Sequence, residues 1–144
     1  MSVKEVKTFW LYKKEKVAAQ GCVLPDGQVA MAWLDTPTHG CYPSLEAFEE
    51  KQLKMGRKIA FGHHFMDGYY LNTFKLVRHK DVSGISGTGI VAVGCCFDSC
   101  LGHPCVMQWL SDRPSTFWYP DVATIKQIHG HQGKTTIEVD TSSS

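Results

Sequence analysis

The pattern of apolar and polar positions between residues 73 and 119 predicts four short β-strands. The stretch "TFKLVRH" alternates apolar and polar side chains, which is typical of a strand with one buried face. "GIVAVGCCF" and "CVMQWL" are apolar runs rich in β-branched and aromatic residues, and "STFWY" is a shorter run of the same kind. We therefore expect a meander of four strands.

A short helix and a fifth strand are predicted to follow this meander. Asp121 comes directly after a proline and is a favourable helix N-cap, while Val122, Ile125 and Ile128 recur at the spacing of one helix face. Gly130 is expected to end the helix in the left-handed conformation, and "TTIEV" then returns as a strand.

The first part of the chain repeats this order of elements. "TFWLYKK" at Thr8 matches "TFKLVRH" at Thr73, "AAQGC" matches "VAVGC", and "MAWLD" matches "MQWLSD". Ser44 caps a helical stretch that ends at Gly56, in the place of the helix after Asp121. Because the matches keep their order, the sequence predicts two copies of one module of roughly 60 residues.

Each copy, with four meandering strands, a helix and a closing strand, is typical of a small, partly open barrel. We expect a mainly β fold with short helices, built from two tandem SH3-like β-barrels that pack together. One mixed sheet shared by both copies is the alternative. The expected divisions are a first module (1–61), a linker (62–72), a second module carrying the candidate site (73–140) and a disordered tail (141–144).

The two copies also separate structural residues from functional ones. Residues present in both copies are best explained by the fold, and residues present in only one copy are free to carry function. The shared, structural pairs are Trp33 and Trp109, Gly21 and Gly94, Tyr42 and Tyr119, and Cys22 and Cys95. If there is a site, we expect it in the second copy or in the groove between the copies.

The charge balance limits the classes of partner. The 15 basic and 14 acidic side chains nearly cancel, so nucleic acid is not an expected partner, and a charged ligand must be recognised by a local patch. The stretch "MSVKEVKTFWLYKK" lacks the apolar region of a secretory signal, and no run approaches the ~20 apolar residues that cross a bilayer. We therefore expect a cytoplasmic protein without a membrane partner.

A glycine-rich insertion, "DVSGISGTG", occurs only in the second copy. Its alternating hydroxyl and glycine residues favour an anion-binding loop, with a merely flexible turn as the alternative. Basic and hydroxyl side chains near the loop and after the last helix would complete a site for an anionic, nucleotide-like ligand. The candidate ligand-binding residues are Arg78, Lys80, Ser83, Ser86, Gly87, Thr88, Arg113, Ser115, Thr116, His129, His131 and Lys134.

His129 and His131 allow an enzymatic alternative. Near the end of a helix a histidine is commonly structural, but two imidazoles could also serve as acid and base of a small hydrolase or phosphoesterase. No phosphate loop, dinucleotide-binding glycine motif, nucleophile elbow or zinc-protease motif is present. A non-enzymatic binding module is therefore the favoured class.

The six cysteines are expected to be thiols, and no cofactor is expected. Cys100, His103 and Cys105 form the alternative, a structural zinc site, because thiolate and imidazole are the ligands that zinc prefers. The absence of any C-x-x-C pair argues against that site.

Trp118 is the candidate for a contact surface. Adjacent residues of a strand face opposite ways, so one of Phe117 and Trp118 must face outward unless both sides of the strand are covered. The exposed aromatic ring would serve a host protein partner, the interface with the first copy, or self-association into a homo-oligomer. A pure protein–protein interaction domain is therefore a third interpretation.

The second copy resembles a family of short phage and bacterial proteins. Their single module reads much like "DVSGISGTG" followed by "RPST" and "IHGHQGKTT", and the resemblance covers residues 73–139. It implies a phage-encoded protein that acts in the host cytoplasm by binding a host component, such as a defence nucleotide or a host protein. The resemblance carries no catalytic activity over to this chain.

Overall fold

A computed structural model describes residues 5–36, 38–61, 71–79, 89–98, 102–130 and 133–140. Both halves have the predicted order of four strands, a helix and a strand. The first half contains β1 (Lys7–Lys13), β2 (Lys16–Val23), β3 (Val29–Trp33), β4 (His39–Tyr42), α1 (Leu45–Lys54) and β5 (Arg57–Phe61). The second half contains β6 (Asn72–Arg78), β7 (Gly89–Cys96), β8 (Cys105–Trp109), β9 (Thr116–Tyr119), α2 (Val122–His129) and β10 (Thr135–Asp140). Most of the predicted linker and the whole predicted tail lie outside the described residues.

The two halves form two antiparallel five-stranded sheets with the same strand order. The first sheet runs β4-β3-β2-β1-β5, and the second runs β9-β8-β7-β6-β10. Even a local irregularity is shared, since the pairing shifts register between Leu11 and Tyr12 in the first sheet and between Leu76 and Val77 in the second. The repeated topology and the repeated bulge support an internal duplication.

The predicted SH3-like barrel is not confirmed, because both sheets are open. Among the described residues, β4 does not pair with β5, and β9 does not pair with β10. In each half the helix joins the two edge strands and covers one face of the sheet, while the other face packs on the other half, so burial does not require closure. The alternative of one mixed sheet is wrong, since the sheets are separate and wholly antiparallel.

Alternating side chains place the sheets in the order helix, sheet, sheet, helix. In β3, Val29 and Met31 pack with Phe48 of α1, whereas Ala30 and Ala32 belong to a core shared with the second half. The second helix contributes Ile125 to a third core. Both faces of the central strands are therefore buried, which explains their nearly continuous apolar sequences.

Two buried glutamine side chains join the halves reciprocally. Gln20 Oε1 in β2 accepts a hydrogen bond from the backbone N–H of Asp98, at 2.6 Å. Gln108 Oε1 in β8 accepts one from the N–H of Asp26, at 3.2 Å. Each half thus satisfies a backbone donor in the hairpin connection of the other, as buried polar groups require.

The helix starts are as predicted, and one of the helix ends is not. Ser44 and Asp121 are both N-caps, and Gly56 adopts the left-handed conformation after α1, at φ +75°. Gly130 does not, since its φ of −68° and ψ of −29° continue the helical region. The left-handed residue is Gly133, at φ +89°, because the second half has a longer connection before its last strand. Neither helix of the described chain is long and apolar enough to span a membrane.

Candidate functional site

Several strand termini meet at one end of the second sheet. Arg78, the last residue of β6, pairs with Gly89 at the start of β7 and with Thr135 at the start of β10. Residues directly opposite each other in a ladder share a face of the sheet, so the side chains of Arg78 and Thr135 lie on the α2 side. The strand residues on either side of the glycine-rich insertion and the start of the last strand therefore lie together at this end of the sheet.

His79, two residues before the insertion, forms hydrogen bonds with residues at the start of β10. Its backbone N–H donates to the carbonyl of Lys134 at 2.7 Å, and its Nε2 lies 2.8 Å from Thr136 Oγ1. Arg78 and Lys134, two predicted ligand-binding residues, are thereby brought to the same corner of the sheet. The other candidates in this region, Lys80, Ser83, Ser86, Gly87, Thr88 and His131, lie outside the described residues.

His129 lies in an aromatic cluster at the end of α2. Its Nε2 is 3.1 Å from the hydroxyl of Tyr119, and its ring meets the Trp109 ring edge-on, with centroids 5.1 Å apart. Burial raises the pKa of Tyr119 above its ordinary value of 10.0, so the phenol is neutral at physiological pH. The geometry allows proton exchange between the phenol and the imidazole.

The first half contains a corresponding cluster, in which two of the residues differ from those of the second half. Trp33 and Tyr42 match Trp109 and Tyr119, but Gln52 stands in the place of His129. Gln52 Nε2 donates to the hydroxyl of Tyr42 at 3.4 Å, and Arg57 Nη1 donates to Gln52 Oε1 at 2.6 Å. The guanidinium of Arg57 also lies over the ring of Trp33, 5.0 Å from its centroid.

A groove of about 460 Å³ opens between the end of α2 and the start of β10. It is lined by Lys126, Gly130, Gly133, Thr135, Thr136 and Ile137. The sequence predictions missed Lys126 and Thr135, since a lysine on a helix and a threonine in a strand are both ordinary. The duplication marks one difference at this groove, because Thr135 stands where the first half has Arg57.

Other predicted ligand-binding residues lie away from this groove. Arg113 and Ser115 belong to the connection between β8 and β9, and Thr116 is the first residue of β9. They lie at the same end of the second sheet, but β8 is three strands from β10, roughly 14 Å. Thr116 Oγ1 accepts a hydrogen bond from Gln108 Nε2 at 3.0 Å. The structure therefore does not bring these three residues to Arg78 and Lys134.

Trp118 lies between the two halves. Its ring stacks on His39 of β4, with centroids 4.0 Å apart, and it packs against the core that the sheets share. Phe117 is the exposed member of the pair, with 47% of its surface accessible. The contact surface predicted for Trp118 is thus occupied by the first half.

The candidate zinc ligands face different neighbours. Cys105 Sγ lies 2.8 Å from the Sγ of Cys96 in the buried core below α2, and the hydrogen bond between them, with burial, raises the pKa of Cys96. His103 Nδ1 lies 3.7 Å from a carboxylate oxygen of Asp98. Cys100 lies outside the described residues, and no metal-binding group of three side chains occurs within them.

One comparison with known proteins returned a match. The family model described as "Acb5 phage protein" matches the chain twice, over residues 17–67 and again over residues 71–141. The first match begins at β2 and extends past β5, and the second takes in β6 to β10. No curated protein and no solved structure matches the chain. The two matches follow the same division of the chain as the repeated sheets.

Proposed function

The chain belongs to the Acb5 phage protein family, and on that premise we propose that it is a phage-encoded binding protein that modulates a host process. Its ligand is an anionic small molecule of the nucleotide type. The binding site lies in the second half, at the corner where β6, which leads into the glycine-rich insertion, pairs with β10. The protein acts by holding this ligand, without chemical conversion.

The observation that carries this proposal is that Arg78 and Lys134 lie at the end of β6 that leads into the insertion. The backbone N–H of His79, the residue after Arg78, donates to the carbonyl of Lys134 where β6 pairs with β10. Guanidinium and ammonium groups form charge-assisted hydrogen bonds with phosphate, which are about twice as strong as neutral ones. Since the whole chain is nearly neutral, a local group of basic side chains is what would recognise an anion.

The first half is not expected to bind the same ligand. It has no counterpart of the insertion, and its α1 carries Glu46, Glu49 and Glu50. Among these, Glu46 lies in the first turn, whereas α2 has no acidic residue in its first turn. The expectation depends chiefly on the missing insertion, because the last turn of α1 is basic, with Lys51 and Lys54, like that of α2.

The test is calorimetry of the purified protein against linear, cyclic and ADP-ribose-type nucleotides. Arg78→Ala should weaken binding about tenfold, because a hydrogen bond to a charged group contributes ~1.5–3 kcal/mol. Lys13→Ala is the matched control, since Lys13 pairs with Arg57 in the first half as Arg78 pairs with Thr135. This control should leave the affinity unchanged.

Three results would contradict the proposal. Absence of binding by every nucleotide would remove the anionic ligand. A stoichiometric host protein captured from bacterial lysate, together with that absence, would favour the interaction domain. Turnover of a nucleotide that is lost in His129→Ala would favour the hydrolase, for which the contact between Tyr119 and His129 is the supporting observation.

A further inference from the structure

Cys96 and Cys105 form the last pair in the ladder between β7 and β8. The two residues lie directly opposite each other, and their Sγ atoms are 2.8 Å apart. Both side chains are fully buried, in the core that the second sheet forms with α2. Opposite residues of antiparallel strands have Cα atoms about 4.5–5.5 Å apart, which is within the range that a disulfide bond spans. The positions therefore suit a covalent bond between the two strands.

The first half shows that packing alone does not require cysteine at these positions. The last pair of the equivalent ladder, between β2 and β3, is Val23 and Val29, and both valines pack in the core beneath α1. Val29 pairs with Tyr42 just as Cys105 pairs with Tyr119, so the two places correspond. Since only the second copy has thiols here, they belong to the residues that are free to carry function.

Cys22 and Cys95 form a second pair of buried thiols, which the fold itself explains. They are matching residues of the two copies, and their side chains interact in the core that the two sheets share. Because adjacent residues of a strand face opposite ways, Cys95 and Cys96 belong to different cores. The pair of Cys96 and Cys105 is therefore separate from Cys22.

An oxidant would reach Cys96 and Cys105 from the connection that follows β7. Just beyond the pair, the N–H of Phe97 donates to the carbonyl of Pro104 at 2.8 Å, and His103 before it is exposed. Local opening at the end of the ladder would expose both thiols. The hydrogen bond from Cys105, together with burial, raises the pKa of Cys96, so the reaction is slow while the ladder is closed.

We propose that Cys96 and Cys105 are a redox-active pair, which a small disulfide such as oxidised glutathione converts into a cross-strand disulfide bond. When the end of the ladder opens, the Cys105 thiolate attacks one sulfur of the oxidant and releases the first glutathione. The Cys96 thiolate then attacks the Cys105 sulfur and releases the second. Two protein thiols are oxidised, one glutathione disulfide is reduced, and the two protons pass to the released glutathione thiolates.

The bond would stabilise the second half alone. It joins the ends of the connection formed by residues 97–104, which restricts the unfolded chain. It also holds the strand position opposite Tyr119, whose hydroxyl lies 3.1 Å from His129 Nε2. The first half, with valines in this place, has no such response. The inference does not depend on the proposed ligand.

The experiment treats the folded protein with excess glutathione disulfide, then unfolds it, alkylates the remaining thiols and measures the intact mass. Cys41→Ser is the background, because Cys41 is exposed and would form mixed disulfides. We expect the loss of two alkylatable thiols without added glutathione. The midpoint of thermal unfolding should rise by roughly 5–10 °C, and dithiothreitol should reverse both changes.

The first half supplies the matched variants. Cys96→Val with Cys105→Val gives the second half the residues of the first, so it should fold and lose both responses. Adding Val23→Cys and Val29→Cys to that variant should move the bond to the first half. Cys100→Ser should leave the bond unchanged. Cleavage before Asp98 separates the peptide of Cys96 from that of Cys105, so the linkage can also be mapped without any variant.

Three results would overturn the proposal. In the first, Cys96 and Cys105 both stay open to alkylation after treatment with the oxidant. In the second, the bond forms equally well in Cys96→Val or is lost in Cys100→Ser, which would assign it to other cysteines. In the third, the bond forms without any rise in the unfolding midpoint, which would remove its stabilising role.

Discussion

The two halves of the chain share one framework and differ in how the corner after the helix is closed. In the first half, Gln52 and Arg57 join across this corner with a 2.6 Å hydrogen bond. In the second half His129 and Thr135 hold these positions, and the hydroxyl of Thr135 is left without a partner in the described structure. The two corners differ in chain length as well as in side chain, since residues 55–56 connect α1 to β5 and residues 130–134 connect α2 to β10. The duplicated strands are therefore kept while the connections between them vary.

Substitutions should destabilise the shared framework most where two strands of a sheet lie unusually close together. A Cβ on Gly94 would lie 2.1 Å from the carbonyl oxygen of Val106 and 2.5 Å from the Phe74 ring, whereas the three atoms nearest to a Cβ on Gly21 all belong to the ring of Phe9. We expect Gly94→Ala to cost about 3 kcal/mol or more, because a backbone neighbour cannot turn aside. Urea denaturation followed by tryptophan fluorescence measures this.

The same measurement ranks the other glycine positions. Gly21→Ala should cost about 1–3 kcal/mol. Gly40→Ala is the control, since nothing lies within 4 Å of a Cβ there, and it should change stability by less than ~0.5 kcal/mol. Equal losses at Gly94 and Gly40 would contradict the packing described.

The contact between the halves should depend on the two glutamines to a smaller extent. Gln20→Met and Gln108→Met each leave a backbone N–H of the other half without its acceptor, at a cost of about 1–2 kcal/mol. Faster hydrogen exchange at Asp98 and Asp26, respectively, would locate the effect. Gln127→Met, on the exposed side of α2, should have no measurable effect, and a loss equal to the other two would show that the change is not specific to the contact between halves.

The two helix caps should respond differently to acid. The side-chain and backbone hydrogen bonds from Thr124 lower the pKa of Asp121 below its ordinary value of 3.8. The cap is therefore fully present above about pH 3.8 and is lost as the pH falls through the lower, folded pKa. The hydroxyl cap of α1, Ser44, does not titrate in this range.

The amide chemical shift of Thr124 reports this titration, with an expected midpoint below 3.8. Asp121→Ser gives α2 the same cap as α1 and should remove the pH dependence. A midpoint at or above 3.8, or titration that persists in Asp121→Ser, would be inconsistent with the capping geometry.

Metal removal should have the smallest effect of all. The cysteine-bearing connection after β7 has no counterpart in the first half, so a zinc site there would make only the second half sensitive to chelators. We expect less than one equivalent of zinc and an unfolding free energy that chelation changes by less than ~0.5 kcal/mol. One tightly held ion per chain in elemental analysis would reverse this, and Cys100, His103 and Cys105 would be the first residues to replace.

Local features of the fold could be predicted from the sequence, and long-range ones could not. The helix starts at Ser44 and Asp121 depend on a side chain and an N–H three residues later, and the strands follow from patterns a few residues long. Whether the open sheets close or stack depends on contacts between residues far apart, such as Gln20 and Asp98, which no local pattern contains. The expected barrel was therefore not confirmed.

The residues of the candidate site show the same contrast between local and long-range features. Arg78 and Lys134 could be predicted because they are basic residues near an insertion that only one copy has. The groove-lining residues Lys126 and Thr135 could not, because a lysine on a helix and a threonine in a strand are both ordinary. The left-handed conformation predicted for Gly130 was wrong. The connection before the last strand is longer in the second half, and the left-handed residue there is Gly133.

The hydrogen bonds that Gln20 and Gln108 form between the halves also affect how the protein behaves at low concentration. Two separate modules joined by such a face would dissociate at low concentration, as dimers do. Here both modules belong to one chain, so each meets the other at an effective concentration on the order of millimolar, however few copies are present. A symmetrical pair would also carry two equal corners, whereas this chain has Arg57 at the start of β5 and Thr135 at the start of β10. The proposed function therefore predicts one ligand for each pair of sheets.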